Sequence, residues 1–209
     1  MDPVFPRLHV ITGARRPVEV VTAAVAASLR LGVPDQLAIQ VRVEDDITDR
    51  AAFLLAAEIL EICRPQNVLC LVNDRLHIAL AVGADGGHVG ADDLPVAAAR
   101  KIMGGVVGAT CRDPESARAA VADGATYLGV GPAYLTATKP GLPAPLGPAA
   151  VGAVAAAVPR TPVIAIGGVT AGNAGELIRA GAIGIAVVGA VSEAADPGAA
   201  TERLLKALS

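Results

Sequence analysis

Aromatic side chains are almost absent from this sequence, at 2% of 209 residues with two Phe, two Tyr and no Trp. Stacking of bases on rings is therefore not available to it, and a formal net charge of -3 with no Lys/Arg cluster removes the other half of a nucleic-acid surface. Charged residues reach only 18%, below the roughly 25% of an average globular domain. Cysteine is scarce too. Cys63, Cys70 and Cys111 have no metal-binding spacing and leave an odd thiol over, so they read as reduced apolar filler in a cytoplasmic protein. Met1 to Val10 carries Asp2 and two prolines before any apolar run, which is not the basic-then-apolar order of a signal peptide. The longest apolar stretch, Gly181 to Val191, falls short of the about 20 residues that cross a bilayer. The expectation is a soluble protein whose partners are small molecules, with neither nucleic acid nor membrane among them.

What the chain does have is apolar content of 53% and 23 glycines, which suits buried parallel strands covered by closely packed helices. Short β-rich runs alternate with Ala-rich segments of helical period. The candidate strands are Leu8 to Thr12, Leu37 to Arg42, Val68 to Val72, Gly87 to Val89, Gly105 to Ala109, Tyr127 to Val130, Val163 to Ile166 and Gly184 to Val188. This order is the signature of repeated βαβ units. Asp49, Asp113 with Pro114, and Thr170 stand where helices should begin. Gly83, Gly124 and Gly181 stand where helices should end. No linker divides the sequence. The expected fold class is α/β, one (β/α)8 TIM barrel over residues 1–209, at the short end of the roughly 200 to 250 residues such a barrel takes. Ala-rich helices on its exterior would allow a homo-oligomer.

Barrels build their sites at the carboxyl ends of the strands, and a phosphate commonly rests on the loops after the seventh and eighth. Ile166-Gly167-Gly168 and Val188-Gly189 stand at those two ends; they read as a phosphate cradle or as tight turns. Asn73-Asp74 follows the third strand and Asp92-Asp93 the fourth. Two carboxylates from neighbouring strand ends suit Mg²⁺, which takes few protein ligands and keeps several waters. Asp74 reads equally as a helix N-cap, and Asp92 as a solvated neighbour. Gln40 and Arg42 share one face at the end of the second strand, where Arg42 suits bidentate phosphate recognition or a surface ion pair with Glu44, Asp45 or Asp46. Thr136-Ala-Thr-Lys139 lies in the long loop Gly131 to Leu146, and reads as an anion-binding lid or a generic polar loop. His88 reads as a core or hydrogen-bonded histidine, while His9 and His77 show no partner in the sequence.

Gln40-Val-Arg42, Val72-Asn-Asp-Arg75, Gly83-Ala-Asp-Gly-Gly-His-Val-Gly90, Asp93-Leu-Pro95, Gly129-Val-Gly-Pro132, Thr136-Ala-Thr-Lys139 and Ala165-Ile-Gly-Gly-Val169 together resemble the superfamily of thiamine phosphate synthase and thiazole tautomerase, and are closest to the synthase. The match runs from about Leu8 to the C-terminus. The resemblance implies a Mg²⁺-dependent coupling of hydroxymethylpyrimidine diphosphate with thiazole phosphate, in which pyrophosphate leaves before the thiazole nitrogen captures the pyrimidine cation. Carried over by position, Asp74 and Asp93 would hold Mg²⁺. Gln40, Arg42, Asn73 and Lys139 would contact the pyrimidine and its diphosphate, with Thr110 near the reacting centre. Thr136, Thr138, Gly168, Val188 and Gly189 would bind the thiazole phosphate. The catalytic contacts would be those of Arg42, Thr110 and Lys139.

Some positions depart from the family pattern. Glu44 stands where a diphosphate-contacting lysine is usual, Ala91 where a glutamine is, Gly13 where an aspartate is, and Gly189 where a serine is. The tautomerase would instead place a histidine at Arg112 and lose the metal carboxylates. A barrel that binds thiazole or thiamine phosphate without turnover is the third reading, and Glu44 is its best support.

Overall fold

The computed structural model describes residues 5–136 and 141–209. The strands are β1 (Leu8–Ile11), β2 (Leu37–Val41), β3 (Leu69–Asn73), β4 (Gly86–Val89), β5 (Val106–Cys111), β6 (Tyr127–Val130), β7 (Val163–Ile166) and β8 (Gly184–Val187). All pair in parallel and in sequence order, and β8 returns to β1, so the sheet closes into the expected barrel. Between them run α1 (Pro17–Arg30), α2 (Asp49–Cys63), α3 (Leu76–Val82), α4 (Val96–Ile102), α5 (Pro114–Ala122), α6 (Gly147–Ala157) and α7 (Ala174–Ala180). Two helices follow β8, the short α8 (Gly189–Ser192) and then α9 (Pro197–Ala207), which packs on α1 and completes the outer ring. Among the described residues no helix is long and apolar enough to cross a membrane.

The helix boundaries follow local chemistry. Asp113 caps α5 by accepting from the amides of Glu115 and Ser116, and Asp196 caps α9. At α2 the cap is Thr48, whose hydroxyl accepts from the Ala51 amide; Asp49 is the first helical residue, not the cap expected of it. It pairs instead with Arg75 at 3.0 Å and with His77 at 3.1 Å, the partner of His77 that the sequence did not reveal. The turn of Thr170 runs to Asn173 before α7 begins. Gly83 and Gly181 end α3 and α7 with φ of 69° and 118°, angles that a side chain would strain.

Most of the apolar core lies between the sheet and the helices, with Ile39, Ile59, Leu128 and Leu177 among its members. The barrel interior holds a smaller cluster around Tyr127, with Ile11, Leu71, Ile164 and Ala186. Few large side chains fill that space because strands contribute glycine there. A Cβ on Gly108 would sit 2.2 Å from the Tyr127 ring and 2.4 Å from the His88 imidazole, and one on Gly129 would sit 3.0 Å from His88. Below them, towards the amino ends of the strands, Phe5 and His9 close the barrel, with ring centroids 5.1 and 5.2 Å from that of Tyr127.

Two outcomes follow for stability. Gly108→Ala drives a methyl into two rings that cannot both move, and is expected to cost about 1–3 kcal/mol in chemical denaturation. His9 is fully enclosed, and burial lowers its pKa to about 3. The unfolded chain, with a histidine pKa of roughly 6.5, therefore binds more protons below that pH than the folded one. Stability is present above pH 6.5 and declines as pH falls towards 3, by about 2 kcal/mol at pH 5 from this residue. Melting temperature against pH is expected to fall less steeply in His9→Leu than in the native chain.

Candidate active site at the carboxyl ends of the strands

The sequence-predicted residues converge on one rim of the barrel in three groups. The first lies on β2 and β3. Gln40 is buried on β2, and its amide nitrogen donates to the Asn73 side-chain oxygen on β3 at 2.5 Å. Just beyond β2 the backbone of Arg42 is clamped by Thr12 of the β1 end: the Arg42 amide donates to the Thr12 hydroxyl, which donates back to the Arg42 carbonyl, each at 2.8 Å. Thr12 is completely buried, and nothing in its sequence context singled it out. The Arg42 guanidinium forks onto the Glu44 carboxylate at 3.3 and 3.4 Å, so the ion-pair reading of Arg42 holds in the unliganded chain. Arg42 is 19% exposed and Glu44 49%, a pair near solvent and weak by that measure.

The second group joins β3, β4 and β5. Asp74 has a φ of 60°, and its amide donates to the His88 carbonyl of β4 at 2.8 Å. The N-cap position of α3 belongs to Arg75 and carries no side-chain cap, so Asp74 is not the helix cap that its context allowed. The left-handed region is uncommon for a residue with a Cβ, and such backbone collects at functional sites. Asp93 is exposed, and its carboxylate accepts from the Gly90 amide at 2.7 Å. A Cβ on Gly90 would stand 2.7 Å from that same carboxylate oxygen, which explains the glycine. Asp92 is exposed beside it. Thr110 on β5 is bound to His88, Oγ1 to Nε2 at 2.9 Å, while His88 Nδ1 meets the Tyr127 hydroxyl at 2.9 Å. Burial holds the His88 pKa down at about 4, with the Asp93 charge opposing it weakly, so the ring is neutral near pH 7. A cavity of about 220 Å³ lies between the Val89–Val96 segment and α5, with Asp93, Thr110, Cys111, Ser116 and Ala120 in its lining, on the helix side of β5.

The third group is the pair of glycine turns. Gly167 and Gly168 have φ of 93° and 65°. A Cβ on Gly167 would meet Pro132 at 2.6 Å and one on Gly168 the Leu135 carbonyl oxygen at 2.5 Å, so the tight-turn reading has a definite cause in the neighbouring loop. Asn173 holds the Gly168 carbonyl at 3.0 Å. Among the described residues no acceptor takes the amides of Gly168, Val169, Gly189 or Ala190. Thr136 is half-buried nearby; Thr138 and Lys139 lie outside the described residues.

Comparison with known proteins decides the family. A profile described as thiamine monophosphate synthase matches residues 8–191. The thiamine-phosphate synthase of Salinispora tropica is 55% identical over 208 residues, covering 97% of each chain, and that of Salinispora arenicola 54% over 205 residues, with 97% of each chain covered. The solved thiamine phosphate pyrophosphorylase from Pyrococcus furiosus superposes with a TM-score of 0.85 at 34% identity, covering 97% of this chain and 95% of the other.

The chain belongs to the thiamine monophosphate synthase family.

Within that family's barrel, Arg112 has a structural task that sequence reading missed. Its guanidinium donates to the Gly131 carbonyl at 3.0 Å and the Ala144 carbonyl at 2.9 Å, and so joins the two ends of the long loop after β6. The loop is fixed further by Ala133 and Tyr134 amides donating to the Ile166 and Gly167 carbonyls, and by the Tyr134 hydroxyl donating to Glu176 at 2.9 Å. Arg112→Ala releases both loop ends. It is expected to cost about 1–3 kcal/mol and to speed limited proteolysis between Gly131 and Leu146, mapped by mass spectrometry.

Proposed function

We propose that this chain couples hydroxymethylpyrimidine diphosphate to thiazole phosphate, forming thiamine phosphate and releasing pyrophosphate. It is a transferase of thiamine biosynthesis; the observation that carries the detailed reading is the position of Asp74 after β3, Asp93 after β4 and Thr110 on β5, at three adjoining strands, in a chain 55% identical to a thiamine-phosphate synthase. In this reading the Gln40–Asn73 amide pair orients the aminopyrimidine. Arg42 and Lys139 receive the diphosphate, and Thr110 lies beside the bond that breaks.

Asp74 and Asp93 would hold Mg²⁺. The donor set fits: two carboxylates leave most of the coordination sphere to water and phosphate oxygens, which is the ligation Mg²⁺ prefers. The ion would supply charge neutralisation for the leaving diphosphate, an electrostatic contribution that needs no general base on the protein. Thr136 and Thr138, with the amides around Gly168, Val188 and Gly189, would take the thiazole phosphate, since backbone amides with no protein acceptor suit an anion. A cytoplasmic setting accords with three buried, reduced cysteines.

Two observations weigh against the competing readings. Arg112 stands where the tautomerase needs a proton-shuttling histidine, and its guanidinium is committed to two carbonyls. Glu44, the feature that favoured a non-catalytic binder, turns onto Arg42 at the rim. It therefore competes for Arg42 as a displaceable partner, and an exposed pair of this kind contributes about 0–1 kcal/mol.

Single-turnover formation of thiamine phosphate with both substrates and Mg²⁺ tests this. Asp74→Asn keeps a side chain that tolerates the left-handed turn, and is expected to lower the rate by at least about a hundredfold. Glu44→Lys is expected to lower KM for the diphosphate about two- to fivefold with little change in kcat. A native chain that forms no product while binding thiazole phosphate would return the reading to a binder.

A further inference from the structure

From the chain of contacts running through the barrel interior, we infer that Tyr127 and His88 fix the Thr110 hydroxyl as a hydrogen-bond donor aimed at the ligand. Three groups stand in line: the Tyr127 hydroxyl, the His88 ring and the Thr110 hydroxyl, joined by two contacts of 2.9 Å. Tyr127 is 1% exposed and His88 8%. The glycines at 108 and 129 leave the space in which the two rings lie.

A neutral imidazole carries one N–H, so only two arrangements exist. In the first, the phenol O–H donates to Nδ1, and Nε2–H donates to the Thr110 oxygen. In the second, Nδ1–H donates to the phenol oxygen, and Thr110 donates to Nε2. The second leaves the phenol hydrogen buried with no acceptor, because Nδ1 of His88 is the one group within reach of that hydroxyl among the described residues. An orphaned buried hydroxyl shifts the balance towards the first arrangement by about tenfold or more.

The consequence appears at the other end of the line. Thr110 accepts from His88, so its own O–H must point elsewhere. No acceptor among the described residues takes it, and Thr110 is half-buried near the carboxyl end of β5, at the rim where the other candidate site residues stand. The ligand atom that meets it must be an acceptor. A diphosphate oxygen qualifies, and a donor fixed on it strengthens as negative charge builds on the leaving group. Tyr127 and His88 are thus positioning residues for Thr110. What Thr110 faces rests on the function proposed above, whereas the direction of its hydroxyl does not.

Nitrogen-15 correlation spectra of histidine side chains in the unliganded native protein read the direction itself. The inference expects His88 protonated at Nε2, with Nδ1 behaving as an acceptor; protonation at Nδ1 overturns it. Tyr127→Phe keeps the ring and removes the phenol donor. It is expected to mix the two tautomers and to lower the single-turnover rate about tenfold at unchanged KM for thiazole phosphate, and Thr110→Val, which removes the hydroxyl itself, to lower it at least as far. A Tyr127→Phe protein that keeps the native tautomer, or that mixes tautomers at the native rate, overturns the inference. Failure of the native chain to make thiamine phosphate would strike the proposed function alone, since the tautomer is read without substrate.

Discussion

A closed barrel of short strands must fill its own interior, and here that filling is polar where it approaches the rim. Tyr127 and His88 occupy the volume that Gly108 and Gly129 leave open, and everything above them depends on that fit. The histidine sets Thr110, its carbonyl receives the Asp74 amide, and its strand leads to the Gly90–Asp93 turn. A larger residue at position 108 would press on Tyr127 and His88, and through His88 on Thr110 and the Asp74 turn, although it touches neither of those.

The rim is built on the same economy of side chains. Gly90 yields space to the Asp93 carboxylate, while Gly167 and Gly168 yield it to Pro132 and Leu135. Glycine therefore does two things at this end of the barrel: it lets loops approach one another, and it leaves backbone amides with no acceptor among the described residues. A phosphorylated substrate would be gripped chiefly by its charge and by amides, which fits a sequence with few aromatic rings to stack on a heterocycle.

The barrel was legible because its signals are periodic and local. The strand runs, the Asp113 cap and the Gly83 and Gly181 helix ends were each visible within a few residues of sequence, and the observed boundaries differ by one or two positions, as at β3 and β5. The site was legible only where a residue type declares its chemistry. Asp74, Asp93, Gln40 and Asn73 offered such chemistry, and the fold brings all four to the carboxyl ends of β2 to β4. Thr12, Tyr127 and Arg112 did not, because their importance comes from partners far along the chain: Thr12 reaches Arg42, Tyr127 reaches His88, and Arg112 reaches Gly131 and Ala144. Two readings of Asp74 stood level in the sequence; its positive φ, with Arg75 at the N-cap position, tells against the cap and does not bear on the metal.

In the function proposed above, two carboxylates at neighbouring strand ends would make diphosphate recognition depend on a divalent cation. Calorimetric titration of inorganic pyrophosphate into the native protein, with and without Mg²⁺, tests it most directly. The account predicts binding that appears only with Mg²⁺ and disappears in an Asp74→Asn, Asp93→Asn double variant. Equal affinity for pyrophosphate with and without the metal would contradict it.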